Sequence, residues 1–469
     1  MHAFEWLIGL LLGAMLLSAL ARRLGVPYPT FLALGGIAIA FLPNSPNWTL
    51  EPTLALALFV APVLLDAAFD TSTRDLRDNW LPVTMLVLAA VGVTTVAVAF
   101  VARWLVPDMP WAAAVALGAI VAPPDAAAAT AILRSVRLPY RILKILEGES
   151  LLNDASALLI YRIAAGAAMA SSLRLEDVAP ALTLTLIGSL VAGYVLAQVM
   201  VRLFGRITDV PTAIIMQFAT TFVVWIVAEK LELSPILTIV IYAITLARSA
   251  PVRTTARLRV PSYAVWESVV FLLNVMAFVL IGMQLRPIWS GLDDDVRWHY
   301  CIAAGIVLAT VIAVRIVWMM CYITVVRSKF LRFGYNPARK SDAPSIKSSL
   351  LIAWCGMRGI VTLAAAFALP IGFPYRDLIL LTAFGVVLGT LVIQGLTLRP
   401  LINWFALDDG DPLGHEVGWA RRAAFHAALE AIDGNTTPEA ELLRLEYRQL
   451  LDRAENNPDG LTSSELPAD

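Results

Sequence analysis

Charge is what this sequence has least of for its length. Asp, Glu, Lys and Arg make up 15% of its 469 residues, against about 25% in an ordinary soluble domain. That shortage excludes a chain wetted over its whole surface, and apolar residues, at 59%, take up the difference. The net charge of −1 argues for neither a nucleic-acid partner nor an acidic substrate. Cysteine is almost missing as well. Cys301, Cys321 and Cys355 all lie inside apolar stretches without metal-ligand spacing, so they read as small hydrophobes in a bundle rather than as a disulfide framework or a thiolate metal site. No residue pattern asks for a cofactor or an organic substrate. Basic residues are absent ahead of the first apolar run, Phe4 to Ala21, whereas Arg22 and Arg23 follow it. This is the reverse of a signal-peptide n-region, and the run is expected to be a retained first span with its N-terminus outside.

What is present is a succession of apolar stretches from about residue 3 to about residue 405, each close to the roughly 20 residues that cross a hydrocarbon core about 30 Å thick. The expected spans, about thirteen, lie near 3–21, 28–42, 54–69, 80–105, 110–133, 147–171, 178–205, 209–228, 235–249, 262–285, 299–325, 346–371 and 376–405. Basic residues test this count. Alternate connections hold Arg22 and Arg23, then Arg74 and Arg77, then the groups at 134–144, 202–206, 248–259 and 327–347, whereas the opposite connections hold only Arg103, Arg174, Lys230, Arg286, Arg297 and Arg376. Roughly twenty against six follows the positive-inside rule, so the C-terminus is expected in the cytoplasm. An odd count fits one extra helix plus two six-helix halves, although no internal sequence repeat stands out.

Residues 1–406 are therefore read as a transmembrane domain and 407–469 as a cytosolic helical tail. In the tail, Thr437-Pro438-Glu439 reads as an N-cap, a first-turn proline and a first-turn acid.

A charged side chain in mid-membrane costs about 2.5–3.5 kcal/mol on insertion scales, so each one asks for a partner or a function. Four places stand out. Ala122-Pro123-Pro124-Asp125 interrupts the fifth span. Two prolines remove two donors and clash with the preceding turn, which predicts a broken helix lining a cavity, with Asp125 at the start of the second half; the bland reading is a kink with Asp125 as its cap. In the sixth span, Glu149, Ser150, Asn153 and Asp154 share adjoining faces as they enter the membrane, and a carboxylate among apolar walls is a place where proton and cation can compete. Arg358, between Gly356 and Gly359 in the twelfth span, is expected to pair with a sixth-span carboxylate and can be purely architectural. Asp66, about three turns into the third span, reads equally as a site residue or an interfacial one.

These residues resemble the bacterial monovalent cation/proton antiporters of the sodium/proton exchanger family. The resemblance rests on Leu146 to Leu159 with Glu149, Ser150, Asn153 and Asp154, on Asp66, Pro124-Asp125-Ala126, Phe271 to Asn274, Leu280 to Leu285 and Gly356-Met357-Arg358-Gly359, which cover nearly the whole membrane part in order and leave the tail uncovered. It implies an all-α polytopic fold of about thirteen helices with inverted repeats and crossed broken helices, usually a homodimer, in which a core domain moves against a dimerisation domain. By the resemblance Asp154 binds Na+ or a proton, Asp125 and Ser150 assist in holding Na+, and Glu149 pairs with Arg358. Asn153 before Asp154 implies electroneutral exchange. Two departures bear on ion choice: a threonine ligand is replaced by Pro124, whose carbonyl is left to substitute, and the third-span acid, often glutamate, is Asp66.

The expected function is Na+/H+ antiport by alternating access in the lipid of a bacterial inner membrane, with K+/H+ exchange by the same fold as the alternative. An intramembrane aspartyl protease would carry Tyr-Asp and Gly-x-Gly-Asp motifs, and Asp125 and Asp154 sit in neither. A cation channel is disfavoured by the buried acid and arginine.

Overall fold

The computed structural model describes residues 2–24, 26–43, 45, 51–125, 140–169, 175–207, 209–253, 256–333, 345–405, 412–434 and 437–456. Every regular element among them is a helix, the outcome a bilayer enforces, since a helix satisfies its backbone within its own segment. Besides the short helices Thr73–Asp78 and Leu285–Ser290, in chain order these are α1 (His2–Leu24), α2 (Tyr28–Ala40), α3 (Pro52–Asp70), α4 (Trp80–Leu105), α5 (Trp111–Val121), α6 (Tyr140–Met169), α7 (Leu175–Phe204), α8 (Val210–Lys230) and α9 (Pro235–Arg253). After them come α10 (Ala256–Met283), α11 (Asp294–Phe333), α12 (Ile346–Trp354), α13 (Ile360–Phe367), α14 (Arg376–Phe405), α15 (Pro412–Ala431) and α16 (Pro438–Asn456). The chain is an all-α polytopic membrane protein. Among the described residues seven helical stretches are long and apolar enough to cross a membrane, and α2, α5 and the Pro235–Ser249 part of α9 are shorter apolar helices.

Each predicted segment falls on a helix, with informative differences at the edges. α6 begins at Tyr140 rather than near 147, because Lys144 is accommodated within the helix with its Nζ 2.8 Å from Glu147. Glu149 to Asp154 therefore start in the third turn instead of the first. The twelfth segment is two short helices, α12 and α13, separated by an extended stretch from Cys355 to Gly359. The half-helix expected after Asp125 lies outside the described residues. In the tail, α16 starts at Pro438, with the Thr437 hydroxyl accepting from the Ala440 N–H at 3.3 Å.

Small residues set the closest helix crossings. Where α2 meets α10, a side chain on Gly36 would strike the Val279 carbonyl and one on Gly282 would strike the Ala33 carbonyl and the Gly36 backbone. Gly118 of α5 lies in the same way on the Thr95 carbonyl of α4. Lipid gives helices no hydrophobic reason to associate, so such dispersion contacts between backbones hold the bundle. Two π-helical turns, Leu56–Val60 in α3 and Met85–Ala90 in α4, interrupt the regular ladder. The second leaves the Val87 carbonyl to accept from Ser156 of α6 at 2.8 Å.

Gly282→Val is expected to force α2 and α10 apart and destabilise the protein by about 1–3 kcal/mol, the usual range for overpacking. Thermal unfolding of the detergent-purified protein checks this against Gly13→Ala, where nothing lies within 4 Å of an added carbon and no loss is expected.

Candidate ion-binding site

The end of α5 and the gap between α12 and α13 meet inside the bundle. α5 ends at Val121, before Pro123 and Pro124, and α12 ends at Trp354. The Asp125 N–H donates to the Met357 carbonyl at 2.6 Å, joining the two extended stretches by backbone. The Asp125 carboxylate occupies the space that any side chain on Gly359 would need. Gly359 also precedes the first turn of α13, whose unsatisfied N–H groups favour a nearby carboxylate.

The carbonyl ends of α5 and α12 present the opposite problem, unpaired acceptors carrying partial negative charge in a dry interior. Two buried arginines answer it. Arg358 donates Nε to the Val121 carbonyl at 3.1 Å, Nη2 to Ala122 at 3.3 Å and Nη1 to Gly356, while its own N–H is held by the Thr390 hydroxyl at 3.1 Å. Arg315, midway along α11, donates Nε to the Ala353 carbonyl at 3.1 Å and Nη2 to Ile352 at 3.3 Å. Its fork also takes both oxygens of Glu149, at 2.5 and 2.7 Å.

This corrects the expected Glu149–Arg358 pair. Arg358 is spent on carbonyls, and Glu149 pairs with Arg315, which fits because Gly356 has no side chain where the Arg315 guanidinium passes. Sequence reasoning overlooked Arg315. The signal was there: a lone arginine inside the apolar run Val311 to Met320 falls under the same mid-membrane argument that singled out Arg358.

Asp154, Asp125, Ser150 and Asp66 come together on one cavity of about 650 Å³, where Asn274 of α10 joins them. Asp154 is 7% exposed, and it interacts electrostatically with Asp125. Arg22, Asp70, Glu147 and Glu267 also line this cavity, and Arg22 and Asp70 stand at the ends of α1 and α3 on the side that carries the denser basic connections. A separate cavity of about 250 Å³ approaches α6 one turn further on, lined by Leu56, Ala155, Leu158, Arg162 and Glu229. Two carboxylates and a hydroxyl make a set of hard oxygen donors. Among the described residues no group of three His, Cys, Asp or Glu side chains is placed to hold a metal ion.

The family described as "Sodium/hydrogen exchanger, transmembrane" matches residues 9–404. This chain belongs to that family. The chain is 31% identical over 444 residues to the sodium, potassium, lithium and rubidium/H+ antiporter of Bacillus subtilis, covering 90% of this chain and 65% of that relative. It thus spans just under two thirds of that protein's length. It is 27% identical over 436 residues to the low-affinity Na+/H+ antiporter NhaS1 of Synechocystis, covering 91% of this chain and 79% of the other. Its fold is that of the sodium proton antiporter MjNhaP1 from Methanocaldococcus jannaschii, with a TM-score of 0.68 at 18% identity over 84% of this chain and 98% of that one. The family is one of transporters, not enzymes.

In this exchanger Asn153 and Pro124 do not line the cavity where Asp154 lies. The Asn153 amide donates Nδ2 to the Pro124 carbonyl at 2.8 Å, so both are spent on clamping α6 to the break. The reason is local. A proline break leaves carbonyls without helical partners, and a buried amide nearby satisfies one of them.

Replacing Arg315 by Ala leaves Glu149 charged in a dry interior and is expected to destabilise the exchanger by about 3–5 kcal/mol, as does Glu149→Gln in reverse. Arg315→Lys keeps the charge but loses the fork, and its unfolding midpoint in detergent is expected between wild type and Arg315→Ala.

Proposed function

We propose that this chain is a Na+/H+ antiporter that exchanges one sodium ion for one proton at Asp154. The observation that carries the reading is the meeting of Asp154, Asp125 and Ser150 on one cavity at the crossing of two broken helices. Asp154 takes a proton or a cation, never both, and that competition couples the two flows. Asp125 and Ser150 complete the cation's oxygen shell with water, and Asp66, further along the wall, draws the cation in. Asn153 ahead of Asp154 is uncharged and donates to Pro124, which supports the one-for-one, electroneutral exchange that the family resemblance implies. The family membership and the printed functions of the relatives support sodium and protons as the substrates.

Alternating access follows from two cavities that reach α6 on neighbouring turns. Arg22 and Asp70, at helix ends on the side rich in basic connections, line the larger cavity, which supports an opening on the side that the positive-inside rule makes cytoplasmic. With that orientation residues 1–406 form the membrane domain, N-terminus periplasmic, in a bacterial inner membrane, and the helices of 407–469 lie in the cytoplasm. The homodimer that the family resemblance implies is supported by α7 and α8, in whose apolar stretches only 22% and 28% of residues are buried. Potassium is the second reading, since the Bacillus subtilis relative is named for potassium, lithium and rubidium as well as sodium.

Liposomes carrying the protein under an imposed pH gradient test both. Addition of sodium is expected to dissipate the gradient independently of membrane voltage, and Asp154→Asn is expected to fall to the rate of empty liposomes. Response to potassium alone would move the assignment to the second reading. An undiminished Asp154→Asn variant would remove Asp154 from the site.

A further inference from the structure

A second cavity, of about 410 Å³, lies between α3, α7, α8, α9 and α10, and Asp66 is the only residue it shares with the ion cavity. Its body is aromatic and aliphatic, with Phe69, Phe204, Leu246, Tyr263 and Trp266 on the walls. The polar groups inside are already engaged. Trp266 Nε1 donates to Gln217 at 2.8 Å, Ser262 to the Leu258 carbonyl at 2.8 Å, and the Tyr242 hydroxyl to Thr220 at 3.3 Å. The interior therefore offers apolar contact and little else.

The rim is different. Arg257 and Arg259 stand two residues apart at the start of α10 and both line the cavity. Among the described residues neither guanidinium is in an ion pair. Arg257 begins the apolar stretch Arg257–Ser290, and Gly205 and Ile207, just past the end of α7, border the same mouth. That places the rim where a span meets water and the body inside the hydrocarbon.

A volume of about 300–1,000 Å³ with mostly apolar walls and a few polar groups is typical of a ligand site. Two guanidinium forks at the lipid–water boundary select a phosphate oxygen pair. Free phosphate would meet the rim alone and leave the aromatic body unfilled. We propose that this cavity binds an anionic phospholipid from the surrounding leaflet, with its phosphate on Arg257 and Arg259 and an acyl chain along Phe204, Leu246 and Trp266. Asp66 forms the common wall, and the Tyr263 ring packs on Phe69 at 6.0 Å between centroids. A bound lipid therefore braces α3 against α10 beside the ion cavity and sets how readily α3 moves.

Native mass spectrometry of the detergent-purified full chain, loaded with phosphatidylglycerol or phosphatidylcholine, reads this without any cation or gradient, so its failure is separate from failure of the exchange reading. Wild type is expected to retain phosphatidylglycerol in preference. Replacing both Arg257 and Arg259 by Gln is expected to lower that retention roughly tenfold, the order of one lost charge-assisted hydrogen bond. Leu246→Trp fills the body with the arginines intact and is expected to lower it too. Equal retention of the two lipids by wild type, unchanged retention in both variants, or displacement of the lipid by millimolar inorganic phosphate would overturn the proposal.

Discussion

The structure depends on how two broken helices can cross in a dry interior. A helix that stops in the membrane leaves carbonyls at one end and N–H groups at the other, and each costs several kcal/mol in hydrocarbon if unpaired. Here the carbonyl ends of α5 and α12 are held by Arg358 and Arg315, and the two breaks are tied by the Asp125 N–H to Met357. The arginines are thus stabilised by helix ends as much as by any acid. Glu149 balances one of them and is buried with it.

That crossing creates the chemistry. Carbonyl ends hold Arg358 and Arg315, and the N-terminal side of α13 gathers Asp125, while Asp154 of α6 stands on the cavity wall. Structural charges are neutralised in place, and the cavity carboxylates remain for the transported ions. Close backbone approach at Gly356 and Gly359 is what admits Arg315 and Asp125; a β-carbon at either position would displace a charged group rather than a flexible apolar one.

Much of this was legible because a membrane simplifies the code. Hydropathy and the basic residues locate the helices, since lipid leaves the backbone no other structure. Mid-span polar residues point to the site, since each is expensive without a partner. Proline placement revealed the break before Asp125, whereas the break at Cys355–Gly359 carries no proline and showed only as two glycines around an arginine. The expected start of α6 differs from the observed one by two turns because the basic residues up to Lys144 read as a connection, although a long basic side chain such as Lys144 is accommodated within a helix, here beside Glu147.

The sequence alone determined that the chain is a helical membrane protein, where its helices run, and that Asp66, Asp125, Ser150 and Asp154 are the groups to watch. These follow from local composition and from the cost of charge in lipid. Only the tertiary structure decided who partners whom. Glu149 pairs with Arg315 and not Arg358, Asn153 serves Pro124 and not the cavity, and a second, apolar cavity sits behind Asp66. Those outcomes turn on distances between residues more than a hundred positions apart, or on which face of a helix meets which neighbour, and no spacing along one strand of sequence encodes them.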